Sequence, residues 1–231
     1  MAGIHEGHRQ RLKERFLHDG MAHMQQHEIL ELLLFYTIPR KDTNELAHVL
    51  LNTFGSLAKV FEAPYEDLIA VPGVGAETAT FLKLPISLMQ AYQLSSAEDT
   101  KVLNTIPQCG KYLLARYFGV KEERASVICM NELHEVQSFI WLGVGDTREV
   151  EFSARTIVAA VTRQPCENVV LAHNHPSNLL MPSELDIELT VRVRSLLETI
   201  GVHMIDHIIV GRDDFISMAS SNWYSNIFKQ D

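Results

Sequence analysis

The chain reads as an α+β (mixed α/β) protein: an all-helical N-terminal domain over residues 1–93, then a mixed-sheet domain over residues 101–231. Through residue 93, apolar positions recur at helical spacing and no strand-like run interrupts them. Residues 94–100, Leu-Ser-Ser-Ala-Glu-Asp-Thr, have the small, polar composition of a linker. Beyond them the period changes, and β-branched runs alternate with helical stretches.

Each element has a local reason. Residues 28–35 form a buried helix with little polar relief, and residues 44–54 a second helix that stops at Gly55. Residues 64–70 open with Pro64, where a missing N–H is harmless at a helix start. Val71-Pro72-Gly73-Val74-Gly75 is a turn, and residues 76–93 continue as helix. Residues 107–117 form one more helix. Residues 125–130 and 136–144 are strands, and residues 153–163 a helix with Ser153 as N-cap. A buried strand over 168–172 ends at a histidine pair. The helix over 183–200 is closed by Gly201, and strands over 202–210 and 215–218 follow.

Composition narrows the class. The 231 residues are 46% hydrophobic and 21% charged, ordinary for one large or two small globular domains. A formal net charge of −9 argues against strong nonspecific nucleic-acid binding, which needs clustered Lys and Arg. Residues 1–94 hold 8 Lys and Arg against 11 Asp and Glu, and the remainder holds 12 against 18. Only residues 9–15 carry a modest cationic cluster. Cys109, Cys129 and Cys166 form no CxxC pair and suit free thiols in a reducing compartment. Residues 1–17 lack the apolar core of a signal peptide, and no apolar run approaches the roughly 20 residues needed to span a bilayer. The expectation is a cytoplasmic soluble protein without membrane association.

His173-Asn174-His175-Pro176, followed by Ser183 and Asp186, carries the chemistry. Residues two apart on a strand point the same way, so both imidazoles can reach one metal ion at a sheet edge. Asp186, at the start of the next helix, can add an oxygen. Three protein ligands with one open position describe a catalytic zinc site. The bland readings are two surface histidines near a turn, and a capping box with Ser183 at N-cap and Asp186 at N3. A hydrolase also needs a base, and spacing leaves Glu122, Glu123, Glu132, Glu135, Glu149 and Glu151 all open.

His173-x-His175, seven residues, Ser183, two residues, Asp186 resembles the JAMM (MPN+) metalloprotease motif in full. With Ala172-His-Asn-His-Pro-Ser177 and Asp206-His207-Ile208-Ile209-Val210-Gly211, the chain is similar to the RadC-like branch of that superfamily. The resemblance implies a helical N-terminal domain with a helix-hairpin-helix and a cytidine-deaminase-like C-terminal sheet. It implies Zn2+ held by His173, His175 and Asp186. Glu123, just before the strand at 125–130, would be the acid/base, with Glu122 its unresolved neighbour. Ser183 would donate to the oxyanion of a tetrahedral intermediate. Asn178 departs from the family, which usually has glycine there, but Asn tolerates left-handed backbone.

Residues 68–79 resemble the helix-hairpin-helix, with Gly73 and Gly75 able to let backbone N–H groups approach a phosphate of DNA. Glu77 and Thr78 stand where such hairpins usually carry Lys or Arg, which favours a hairpin used for packing or protein contact. His207 beside Asp206 reads as an ordinary strand histidine, with support of the metal ligands as the sharper alternative. His5, His8, His18, His23 and His27 read as solvated helix surface. Met21, Met24, Trp141 and Trp223 read as packing residues. The combined expectation is a zinc-dependent hydrolase of peptide or isopeptide bonds, in a family nominally tied to DNA repair, acting on a protein or peptide substrate. A metal-dependent nuclease and a non-catalytic, DNA-associated adaptor are the alternatives.

Overall fold

The computed structural model describes residues 4–39, 41–98, 101–142 and 153–229. The chain divides into two compact units, Met1–Met89 and Gln90–Asp231.

The first unit is helical: α1 (Ile4–Asp19), α2 (Gln26–Thr37), α3 (Asn44–Phe54), α4 (Leu57–Glu62), α5 (Tyr65–Ala70) and the first part of α6 (Ala76–Glu98). Leu30, Leu34, Leu50, Val60, Leu68 and Leu82 form its core. Helix α3 ends where Gly55 takes φ +91°, a left-handed conformation that costs glycine little. Helix α2 has more polar relief than its sequence suggests. Glu31 is 1% exposed, and its carboxylate lies 3.0 Å from His8 Nε2 and accepts from Asn44 Nδ2 at 3.2 Å. His8, half-exposed, is thus also a partner of the buried Glu31 side chain. The cations of residues 9–15 are partly committed as well. Arg9 donates to the carbonyls of Ile38, Pro39 and Lys41, and Arg15 pairs with Glu28 at 2.6 Å.

Residues 94–98, read as linker, are the end of α6. Ala97 there packs into the core of the second unit with Leu103, and that burial overrides the weak helix propensity of the serines. The second unit continues with α7 (Ile106–Tyr117), β1 (Ala125–Met130), β2 (Val136–Leu142), α8 (Ala154–Val161), β3 (Asn168–Asn174), α9 (Glu184–Glu198), β4 (His203–Val210) and β5 (Phe215–Ser217). A single turn of 3-10 helix, Ser225–Phe228, follows. Residues 143–144 of the expected second strand lie outside the described residues. Ser153 caps α8, its Oγ accepting from Thr156 N.

The sheet has order β2-β1-β3-β4-β5. Only β3 and β4 are parallel, joined by the α9 crossover; the other neighbours are antiparallel. Side chains alternate between two cores. Ile128, Met130, Val170, Ala172, Ile208 and Val210 pack with α7, whereas Val127, Cys129, Val169 and Leu171 pack with α8 and α9. Extending that alternation along β3 turns His173 to the α8/α9 side.

Candidate metal centre

The histidine pair lies at the end of the sheet's central strand, not at a sheet edge. His173 is paired with Ala125 of β1 on one side and Ile209 of β4 on the other. Strand β3 runs two residues further than expected, because His173 and Asn174 keep pairing with β4. Tyr117 of α7 fixes this end. Its hydroxyl is 2.8 Å from Ser126 Oγ and 3.0 Å from the carbonyl of Ala172, the residue before His173. His175 N donates to Val210 O, which holds the chain beside β4 beyond the strand proper.

A tight turn then carries the chain to α9. Asn178 adopts φ +61°, so the departure from glycine leaves the left-handed turn intact. Its Oδ1 accepts from Arg212 N at 2.7 Å. A β-carbon on Gly211 would come within 2.5 Å of that Oδ1, so the approach of the two loops requires glycine there.

At the start of α9, Ser183 and Asp186 form the expected capping box. The two carboxylate oxygens of Asp186 divide the work. Oδ2 accepts from both the N–H and the hydroxyl of Ser183 at 2.7 Å, while Oδ1 lies 3.2 Å from His173 Nε2. Oδ2 is also 3.7 Å from His175 Nε2, and the two imidazole Nε2 atoms are 2.9 Å apart. Glu123 joins the histidine pair: ligand atoms of Glu123, His173 and His175 all lie within 4.8 Å of one another. That triad and the Asp186 contacts share the histidine pair, which stands between the two carboxylates as their common partner. Glu122 is not among them.

The buried Asn174, between the two histidines, explains why it is Glu123 that arrives. Its Nδ2 donates to Glu122 O at 3.0 Å, its Oδ1 accepts from Arg124 N at 2.8 Å, and its own N–H donates to Arg124 O. Glu123 is clipped from both sides. Ser183 lies near the cluster with its hydroxyl proton committed to Asp186.

Electrostatics favour an ionised Asp186 beside the histidine pair. Burial pushes the Asp186 carboxyl up, but hydrogen bonds from His173, His175 and Ser183 outweigh it and hold the group well below the usual carboxylate range. The Asp186 hydrogen bond raises the pKa of His175. Leu179 O faces His175 Nδ1 at 2.5 Å; a carbonyl can only accept, so Nδ1 carries a proton and Nε2 is the ligating atom. Behind His173 stands His207, fully buried and held well below its ordinary pKa by burial and by its histidine neighbours. It is more than an ordinary strand residue: its Nε2 is 2.8 Å from His173 Nδ1.

The donors fit a zinc ion. Tetrahedral bonds of about 2.0–2.2 Å put ligand atoms roughly 3.3 Å apart. His173 Nε2 lies 2.9 Å from His175 Nε2 and 3.2 Å from Asp186 Oδ1, close to that spacing. Two imidazoles and a carboxylate also leave a fourth position for solvent.

The remaining expectations fall elsewhere. Gly73, at φ +94°, and Gly75 are exposed in the turn between α5 and α6, and Glu77 is exposed on the first turn of α6. Trp141 packs on Tyr117 and Phe139, but Trp223 is 78% exposed on a turn after β5. Glu149 and Glu151 lie outside the described residues. Among the described residues, no helix is long and apolar enough to cross a membrane.

A mixed sheet whose central strand ends in His-x-His beside a carboxylate-bearing helix start is the architecture of a JAB/MPN domain. Residues 103–223 match the RadC-like JAB domain, and residues 5–80 match the UPF0758 N-terminal domain. The chain belongs to this RadC-like family, which points to a metal-dependent hydrolase. It is 36% identical over 219 residues to UPF0758 protein FN0909 of Fusobacterium nucleatum, covering 92% of this chain and 94% of that one. It is 31% identical over 216 residues to UPF0758 protein SPO0054 of Ruegeria pomeroyi, covering 94% and 96%.

Proposed function

We propose that this chain is a zinc-dependent hydrolase of peptide or isopeptide bonds, with His173, His175 and Asp186 as ligands. The observation that carries the reading is the division of carboxylates. Asp186 is held against His173 by its capping box, while Glu123 reaches the histidine pair from an exposed loop. One carboxylate is thereby spent on binding and one is left for proton transfer. When bound, zinc supplies Lewis acidity toward a carbonyl and acidifies water.

The chain's own groups do the rest. Glu123 takes a proton from attacking water and delivers it to the departing amine, a transfer worth roughly 10²–10⁴-fold. Asn174 holds Glu123 in place for both halves of that exchange. Ser183 donates its hydroxyl proton to the developing oxyanion, turning it away from Asp186 Oδ2. A phosphodiester substrate would call for Lys or Arg beside the ligands, and the turn Asn178-Leu179-Leu180-Met181 offers only neutral side chains.

The test is turnover of peptide, isopeptide and oligonucleotide libraries by the zinc-loaded chain and by its Glu123→Gln variant. Amide cleavage that falls at least about 100-fold in the variant supports the reading. Cleavage of oligonucleotides, or of nothing, overturns it.

A further inference from the structure

Residues 176–185 join His175 to Asp186 and close into a loop, because the side chains at its two ends lie 3.7 Å apart. A segment of that length with its ends together reaches no further than roughly 17 Å from them. The backbone holds its first half closer still. Asn178 N donates to His175 O at 2.9 Å, and Leu179 O faces the His175 ring at 2.5 Å. No side chain from Pro176 to Ser183 is charged.

Apolar side chains along this loop divide into anchors and a rim. Pro182 is buried and Leu180 half-buried, with Leu180 Cδ2 only 2.8 Å from where a β-carbon of Gly211 would stand. Their neighbours Leu179 and Met181 are 66% and 58% exposed. Leu185, directly before Asp186, is 75% exposed. A single exposed leucine needs no explanation. Large apolar side chains at 179, 181 and 185, on a loop that starts and stops at ligand positions, do. Leu180 and Pro182 already anchor the loop, so the fold gains nothing from the other three.

We infer that Leu179, Met181 and Leu185 are specificity-determining residues: they form an apolar rim that selects an extended peptide with a large apolar residue next to the scissile amide. The inference rests on the hydrolase reading above and deepens it from amide bonds in general to a class of peptide. Successive residues of an extended chain are about 3.3 Å apart, so side chains flanking a bond cleaved at the histidine pair fall beside this loop. A charged side chain there would lose water against leucine and methionine, with no counter-ion between Pro176 and Ser183. An apolar side chain leaves water together with them and gains by it. Met181, unbranched and flexible, lets the rim take leucine, methionine or phenylalanine alike.

Short peptides of Ala and Ser with a central Leu, Phe, Ser or Asp test this on the full-length chain supplied with zinc. In wild type, kcat/KM is about tenfold higher for the Leu and Phe peptides than for the Ser and Asp peptides. In the Leu179→Ser, Met181→Ser double variant that ratio falls to about one, and in the Leu179→Met, Met181→Leu double variant it returns. A wild type without the preference, or a preference that the double serine variant keeps, overturns the inference. A wild type that cleaves no peptide ends the hydrolase reading instead. Binding of the same peptides, fluorescently labelled, then decides alone. A Leu peptide bound about tenfold tighter than the Ser peptide, with the gap closed in the double serine variant, upholds the rim. Equal binding, or none, overturns it. Sedimentation reads the other occupant: a wild-type dimer that the double serine variant makes monomeric assigns the loop to a second copy and overturns the inference. Should the double serine variant fail to fold, Leu185→Ser is read in the same way.

Discussion

Asp186 Oδ1 lies 3.2 Å from His173 Nε2, although one residue is in the first turn of a helix and the other near the end of the central strand. The contact exists because the Ser183 capping box occupies the other carboxylate oxygen and aims this one inward. A helix cap and a ligand position are therefore compatible in one carboxylate, each function taking its own oxygen.

Asn174→Ala separates binding from proton transfer. The side chain holds Glu122 O and Arg124 N but touches neither ligand Nε2. Zinc content stays at the wild-type level while kcat falls by about 100-fold, the scale expected when a reacting group drifts by about 1 Å. Parallel measurement of metal content and turnover checks this.

Tyr117→Phe removes a hydroxyl that bridges Ser126 and the carbonyl before His173. Two buried partners then lose a hydrogen bond, at a cost of about 1–3 kcal/mol in denaturant unfolding. The fold and the zinc stoichiometry are retained.

Gly110→Ala is a steric test of the layer between α7 and β5. A β-carbon at position 110 would lie 2.0 Å from the Phe215 ring. Phe215 or the helix has to move, and the expected loss is about 1–3 kcal/mol. Thermal unfolding of the variant beside wild type reads it.

Asp206 supplies a pH signature. Its carboxylate faces Ser217 Oγ at 2.6 Å, the N–H groups of Ala219 and His207, and the region of the Cys109 thiol on α7. Burial raises its pKa from 3.8 to about 6 despite those hydrogen bonds. The native state thus holds this proton more tightly than the unfolded chain. As pH rises between those two values, the unfolded chain ionises first and this group's contribution to stability is lost. Relative to Asp206→Asn, wild type loses about 1–3 kcal/mol across that window, read by urea unfolding at both ends.

Much of this architecture is legible in the residues. Strand β1 and helix α3 have the predicted limits because their burial patterns and caps are local. The His-x-His spacing places two rings on one face by strand geometry alone, and Ser183-x-x-Asp186 declares its own cap. What the residues conceal is pairing across the sheet. Asn174 meets Glu122 and Arg124 across about fifty positions, and His207 meets His173 across 34. The parallel pairing of β3 with β4 brings the latter two together, with Leu171 opposite His207. A strand histidine followed by Ile-Ile-Val carries no mark of such a partner. The linker reading of residues 94–98 failed for a similar reason, since Ala97 is buried by contacts far along the chain.

Metal content is the most direct measure of the central claim. The chain purified without chelator should hold close to one zinc per molecule, and the folded His173→Ala, His175→Ala double variant should hold essentially none. Equal metal in the two proteins, or none in either after zinc is supplied, contradicts the account.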